Sequence, residues 1–261
     1  MALEQAIKDN DLKSLDNYVA NGGDVNVRNE NGDTLLHIAI AASADIGIIQ
    51  TLLANNADPK LTNNNGQCPL QCIRQDDIQM IENILKLEKT FDLRDEEGNT
   101  CLLTILKFKR RYVVEIDQFW TMIVKHSKSL NIDFNIRNKY GDTCLIGASR
   151  AVFFPGVSQH IEFILDKLQN VNVLIKNRDG DTFLHSFCRS VATEVESELI
   201  KKILCGQLSN CPKALLKQLL SCRNNTGDTP FLQFTQNSNT IINVELLKLF
   251  IDAGADINGK I

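Results

Sequence analysis

The chain has 261 residues, 43% of them hydrophobic, enough apolar material for one or two folded domains on length alone. A formal net charge of −4 and a pI near 5.6 leave no general electrostatic footprint for nucleic acid or an anionic membrane surface. No apolar run reaches membrane-spanning length and Met1-Ala2-Leu3-Glu4-Gln5 lacks a basic-then-apolar signal, so the chain reads as soluble, without membrane insertion.

Residues 1–26 open the chain with two short helical patterns, Leu3, Ala6 and Ile7, then Leu12, Leu15, Tyr18 and Val19, with no turn signal ahead of them. They read as an N-terminal capping unit. The stretch that follows, Asn29-Glu30-Asn31-Gly32-Asp33-Thr34-Leu35-Leu36-His37-Ile38-Ala39, sets the pattern for the remainder. Its polar tripeptide ends in Gly, which supplies the positive φ of a turn, and Thr34 stands before an apolar run as a helix N-cap. Copies recur with their glycines at Gly66, Gly98, Gly141, Gly180 and Gly227, and Cys68 replaces the capping Thr in one of them. Pro69 and Pro230 fall at the first helical position, where a missing N–H is harmless. Each copy is followed by a second apolar-periodic segment: Ile46 to Ala54, Ile78 to Leu87, Phe119 to Lys125, His160 to Leu168, Leu199 to Leu204 and Val244 to Ile251. Every unit is therefore expected to be turn, helix, helix.

The copies resemble ankyrin repeats, whose pattern couples a Gly turn, a Thr-Pro-Leu-His-x-Ala helix start and a closing Gly-Ala-Asp-Val-Asn. Here Thr34-Leu35-Leu36-His37-Ile38-Ala39, Gly23-Asp24-Val25-Asn26 and Ala253-Gly254-Ala255-Asp256-Ile257-Asn258 carry the match, which runs over nearly the whole chain. Departures are Gln71, Leu103, Ile146 and Leu232 at the position where His37 and His185 follow the pattern. The resemblance implies an all-α ankyrin-repeat solenoid of about seven helix-turn-helix units with short projecting turns. Its expected layout is a single repeat domain over 1–261, with a cap at 1–26 and repeats at 27–60, 61–92, 93–135, 136–172, 173–218 and 219–258. The linker-like Ala253 to Asn258 leads to the expectation that the chain is truncated at its C-terminus.

Spacing separates the two halves. Gly32 to Gly66 is 34 residues and Gly66 to Gly98 is 32, whereas the later intervals are 43, 39 and 47, so the later repeats carry insertions. These fall around Lys107 to Tyr112, at Phe153-Phe154-Pro155-Gly156, and from Ser209-Asn210-Cys211-Pro212, a start signal for an extra helix through Leu220.

A catalytic constellation is needed once, yet Asp33, Thr34 and His37 belong to a stretch written six times, so they read as scaffold chemistry. His185 and Cys188 with Cys205, Cys211 and Cys222 lack the paired spacing of a zinc site, and no oriented base or oxyanion donor accompanies them. No metal, cofactor or enzyme activity is therefore expected. The eight cysteines lack the density of a small disulfide scaffold, and Cys101 and Cys144, just after the capping Thr, are expected as buried free thiols in a reducing, cytoplasmic compartment. What the resemblance implies about function is recognition of a protein partner by a monomeric scaffold, through the concave face and the turn tips. The tips Asn31, Asn65, Glu97, Tyr140, Asp179 and Thr226 differ from copy to copy on a constant frame, which is where specificity resides. Lys107, Lys109, Arg110 and Arg111 beside Tyr112 form the candidate patch for an acidic segment, against the plainer reading of a solvated helix end. Phe153 and Phe154 either anchor a partner or tuck under their own loop. Asn26, Asn135, Asn172 and Asn258 match a closing Asn that in ankyrin proteins is open to hydroxylation; a structural role is expected here. The alternative is the targeting region of a multidomain enzyme or of a bacterial effector in host cytosol, with catalysis beyond residue 261.

Overall fold

The computed structural model describes residues 2–74, 77–91, 93–108, 121, 123–124, 132–150, 157–191, 193–237 and 244–256. Among these the regular elements are helices, joined by one isolated bridge between Arg28 and Thr34.

Six turns are built by the same local chemistry. The side-chain oxygen Oδ1 of Asn29, Asn63, Asp95, Asn138, Asn177 and Asn224 accepts the N–H groups two and four residues ahead at 2.8–3.1 Å. An amide or a carboxylate oxygen serves equally, which is why Asp95 fits among five asparagines. Three residues on, Gly32, Gly66, Gly98, Gly141, Gly180 and Gly227 close a β-turn by donating N–H to the carbonyl of that residue, with φ between +70° and +80°. Thr100, Thr143 and Thr229 then cap the next helix, each Oγ1 accepting the N–H three residues ahead at 3.2–3.3 Å.

Two compact units divide the chain at residues 1–115 and 116–261. The first holds α1 (Ala2–Lys8), α2 (Leu12–Ala20), α3 (Leu35–Ala41), α4 (Ile46–Ala54), a 3-10 turn (Pro69–Cys72), α5 (Ile78–Phe91) and α6 (Cys101–Phe108). Helices α1, α3, the 3-10 turn and α6 pack in succession, and α2, α4 and α5 pack beside them. Between the two rows Ile7, Leu15, Leu36, Ile40, Ile49, Leu52, Leu70 and Ile84 are fully buried. Each contributes about 1.5–3 kcal/mol relative to exposure, so a unit too short to bury its own face is stabilised by its neighbours. The predicted helix after Pro69 is only a 3-10 turn. Nine residues separate Pro69 from the start of α5, against eleven from the start of α3 to that of α4, and the missing pair removes a helical turn.

The second unit holds α7 (Cys144–Arg150), α8 (Val157–Lys167), α9 (Phe183–Ser190), α10 (Glu194–Leu204), α11 (Lys213–Ser221), α12 (Pro230–Gln236) and α13 (Val244–Asp252). The inner row is α7, α9 and α12; α8, α10 and α13 form the outer row. Helix α10 begins five residues before the periodic segment at Leu199, because Thr193 and Glu196 form a capping box, Thr193 N–H donating to the Glu196 carboxylate at 2.7 Å. Helix α11 follows the start signal at Pro212 and packs on α12. Phe187 is buried between rows, and Phe250 from α13 lies 5.1 Å from Phe234 and 5.5 Å from Phe231. The expected helix from Phe119 to Lys125 lies largely outside the described residues.

Candidate functional site

Two histidines fasten turn to helix and repeat to repeat. His37 Nδ1 accepts the Thr34 N–H at 3.1 Å and lies 2.8 Å from the Thr34 hydroxyl, while Nε2 meets the Gln67 carbonyl oxygen at 2.8 Å. His185 repeats this with Thr182 (3.2 and 2.8 Å) and the Asp228 carbonyl (3.0 Å). A carbonyl can only accept, so Nε2 carries the proton and Nδ1 is the acceptor in both. Burial holds both imidazoles below their ordinary pKa. In the shortened repeat Gln71 Oε1 takes over, accepting the Cys68 N–H at 2.9 Å. Both histidines are thus engaged at both nitrogens by structure.

Within each unit neighbouring turns are stitched by a recurring set of three bonds. Asn64 N–H donates to the Asn31 carbonyl, Arg178 N–H to that of Tyr140 and Asn225 N–H to that of Asp179, each at 2.9 Å. Asn63, Asn177 and Asn224 donate Nδ2 to the carboxylates of Asp33, Asp142 and Asp181 at 2.7, 3.0 and 2.8 Å. Arg28, Arg137 and Lys176 donate to the carbonyls of Thr62, Lys176 and Arg223 at 2.6, 2.9 and 2.8 Å. Opposite the turn residue Asp95, the position held elsewhere by Asp is Gln67, so no carboxylate faces a carboxylate. Asn26 and Asn135 use both ends of their amides on the loop of the next repeat, donating to Asn56 and Asn170 carbonyls and accepting from Asp58 and Asn172 N–H. Those two asparagines are therefore structural; Asn258 lies outside the described residues.

On this frame the six tips differ in how far their side chains are committed. Asn31 and Asn65 are exposed, and their side chains make no hydrogen bond among the described residues. Glu97 is half-buried and accepts from Asn99, and the exposed Thr226 hydroxyl is tied back to Asn224 and Asp228. Asp179 pairs with Arg150 at 2.8 Å although its side chain is 66% exposed, a pair that contributes little to stability. Tyr140 is 39% exposed, with the Lys139 ammonium 5.1 Å from its ring centroid. Next in the row come Arg178, exposed, and two arginines not anticipated as site residues. Arg150 bridges Asp142 and Asp179, and Arg189 bridges Asp181 (2.9 Å) and Gln233 (2.7 Å). Each follows its turn Asp by eight residues, a spacing visible only once the copies are aligned. The tip row of the second unit thereby mixes Lys139, Tyr140 and Arg178 with ion-paired Arg150, Asp179 and Arg189; that of the first offers Glu30, Asn31, Asn64, Asn65, Glu96 and Glu97.

Lys107 lies in α6, while Lys109, Arg110, Arg111, Tyr112, Phe153 and Phe154 lie outside the described residues. All eight cysteines are free thiols, and burial pushes Cys68, Cys144 and Cys211 up to about 12 and Cys188 higher still, conditions that suppress the reactive thiolate. Among the described residues no group of three His, Cys, Asp or Glu side chains is arranged to hold a metal, and no helix is long and apolar enough to cross a membrane.

Residues 3–72 match the family model of ankyrin repeats, in three copies. The regulatory protein SWI6 of Kluyveromyces lactis (strain ATCC 8585) is 46% identical over 46 residues, 18% of this chain but only 6% of that protein's length. The ankyrin repeat domain of Bcl-3, a member of the IkappaB protein family, superposes with a TM-score of 0.58 at 16% identity, over 95% of this chain and 98% of that one. An ankyrin repeat domain from Acinetobacter baumannii AYE gives 0.42 at 18% identity over 98% of both chains. At such identities the likeness to Bcl-3 is one of fold.

Proposed function

Because this chain is built of ankyrin repeats, a general protein–protein interaction module, we propose that it is a non-catalytic recognition scaffold that grips a protein partner with its turn tips and inner helices. One observation carries the reading: the same hydrogen-bonded turn is made six times, while the residue at its tip is different in each unit apart from the paired Asn31 and Asn65. A frame held constant with a varied edge is the arrangement of a recognition surface, since the frame's own bonds leave the edge free to change.

In the second unit the partner segment is acidic. Lys139 lies over the Tyr140 ring and the exposed Arg178 is joined to Tyr140 through the backbone, and aromatic and Arg side chains are the residue types that anchor interfaces. The free, buried thiols support residence in a reducing compartment. The test is crosslinking of the tagged chain to its partner in cell extract, followed by affinity measurement with the recovered partner. Lys139→Glu, Tyr140→Ala and Arg178→Glu together are expected to weaken binding at least tenfold while leaving the melting temperature within about 2 °C, because exposed side chains carry little stability. Unchanged affinity would remove this row from the interface.

A further inference from the structure

The turn at residues 29–32 keeps open the groups that the turns at 63–66, 177–180 and 224–227 have bonded. In the pairs 29–32 with 63–66, 138–141 with 177–180, and 177–180 with 224–227, the following turn bonds its predecessor by three groups. It gives its second-position N–H to a tip carbonyl and its leading Asn Nδ2 to an Asp carboxylate, and its preceding carbonyl receives an Arg or Lys. The equivalents in the leading turn are the Glu30 N–H, Asn29 Nδ2 and the Arg28 carbonyl. Among the described residues none of the three has a hydrogen-bond partner. Their residues line an open cleft of about 510 Å³ together with apolar Leu3, Val27 and Leu35 and acidic Glu4 and Asp33. Among the described residues that line it, the one cation, Arg28, is already committed to the Thr62 carbonyl.

We propose that this edge is a second, separate binding site, which takes a basic turn from a partner protein of the form Arg-Asn-x-x-Gly-Asp. The incoming Arg or Lys donates to the Arg28 carbonyl, the incoming tip carbonyl accepts the Glu30 N–H, and the incoming Asp accepts Asn29 Nδ2. Each contact is one that this chain makes three times between its own turns, so the geometry of the frame already selects it. The carboxylates of Glu4, Glu30 and Asp33 favour a segment with excess positive charge, and Val27, exposed at 42%, supplies apolar contact.

The probe is a capped synthetic peptide with the sequence of residues 136–142, Ile-Arg-Asn-Lys-Tyr-Gly-Asp, which holds the three groups and a net positive charge. Titrated into the full isotopically labelled chain, it is expected to shift the Glu30 amide and the Asn29 side-chain amide and to leave the tips of the second unit unmoved. Asn29→Asp keeps the turn acceptor, as Asp95 shows, and removes the donor. Glu30→Pro removes the N–H at a β-turn position where Pro is favoured. Each is expected to weaken the peptide about tenfold at unchanged melting temperature, the loss of one hydrogen bond that leaves its partner unsatisfied. Equal binding to wild type and both variants, shifts confined to other residues, or no binding at millimolar peptide would overturn the assignment. Concentration-dependent dimers in sedimentation velocity that Asn29→Asp dissolves would overturn the occupant, making it a second copy of the chain.

Discussion

Replacing Asn177 by Asp isolates the contact that locks one turn to the next. Asn177 Oδ1 holds its own turn through the N–H groups of Asp179 and Asp181, and Nδ2 donates to Asp142 at 3.0 Å. Asp at 177 preserves the first role, as Asp95 does in its own turn, so the local fold survives. The second role is inverted, because a carboxylate then faces the Asp142 carboxylate, whose side chain is 2% exposed. The lost hydrogen bond to a charged acceptor costs about 1.5–3 kcal/mol, and a buried carboxylate deprived of a partner costs about 3–5 kcal/mol. Asp142 keeps Arg150 at 3.0 Å on its other oxygen, which moderates the loss to about 3 kcal/mol, or about 10 °C in melting temperature. Asp142→Asn in the same chain restores an amide facing a carboxylate and is expected to recover about 2 kcal/mol; the shortfall is the half-exposed Arg150 pair. Urea unfolding of the two single variants and the double variant measures the coupling. A double variant no more stable than Asn177→Asp alone would refute the turn-to-turn bond as the source of the loss.

Acid should loosen the chain through its buried imidazoles. Burial holds His37 and His185 below the ordinary pKa and pushes His160 down to about 4. The unfolded chain therefore binds more protons below pH 6.5; stability is full above that pH and is lost as pH falls toward the folded values. From His160 alone the urea midpoint should fall by the equivalent of about 2 kcal/mol between pH 7 and 5, and His160→Gln should flatten that slope; a midpoint constant over the range would contradict it. Gly180→Ala is expected to cost at least about 3 kcal/mol, since its Cβ would meet Asn225 N at 2.8 Å at φ +77°, whereas Gly227→Ala, at φ +80° with open space, should cost only about 1–2 kcal/mol of backbone strain. Equal melting temperatures for the two would deny the close approach of adjacent turns. His185→Ala strands the Thr182 N–H and the Asp228 carbonyl and should cost about 2–4 kcal/mol; His185→Gln, with the Gln71 precedent, should cost about half, and an equal loss would show that the ring's shape matters more than its acceptor.

Much of this was legible along the chain because its chemistry is short-range. The Asn-to-Gly turn closes over four residues, the Thr cap reaches three residues ahead, and the helical faces repeat every three or four, so each could be read from a handful of neighbours. The double role of His37 could be read only in part: its bond to Thr34 is local, but its bond to Gln67 spans 30 residues. Arg150 and Arg189 escaped notice because an Arg eight residues after an Asp means nothing until α7 and α9 set its guanidinium over the turn.

The sequence by itself determined the unit: which residues turn, which cap, and which face is buried, since each rests on contacts whose geometry a few bonds of backbone dictate. Only the tertiary structure decided how units meet. It tied Asp179 back to Arg150 while leaving Asn31 and Asn65 outward, and left Arg28, Asn29 and Glu30 facing an open cleft. The joining of one turn to the next depends on pairs some 30 to 45 residues apart, such as Asn63 with Asp33 and Asn224 with Asp181, brought within 3 Å by stacking. No local preference encodes that distance; it follows from burying one helix pair against the next.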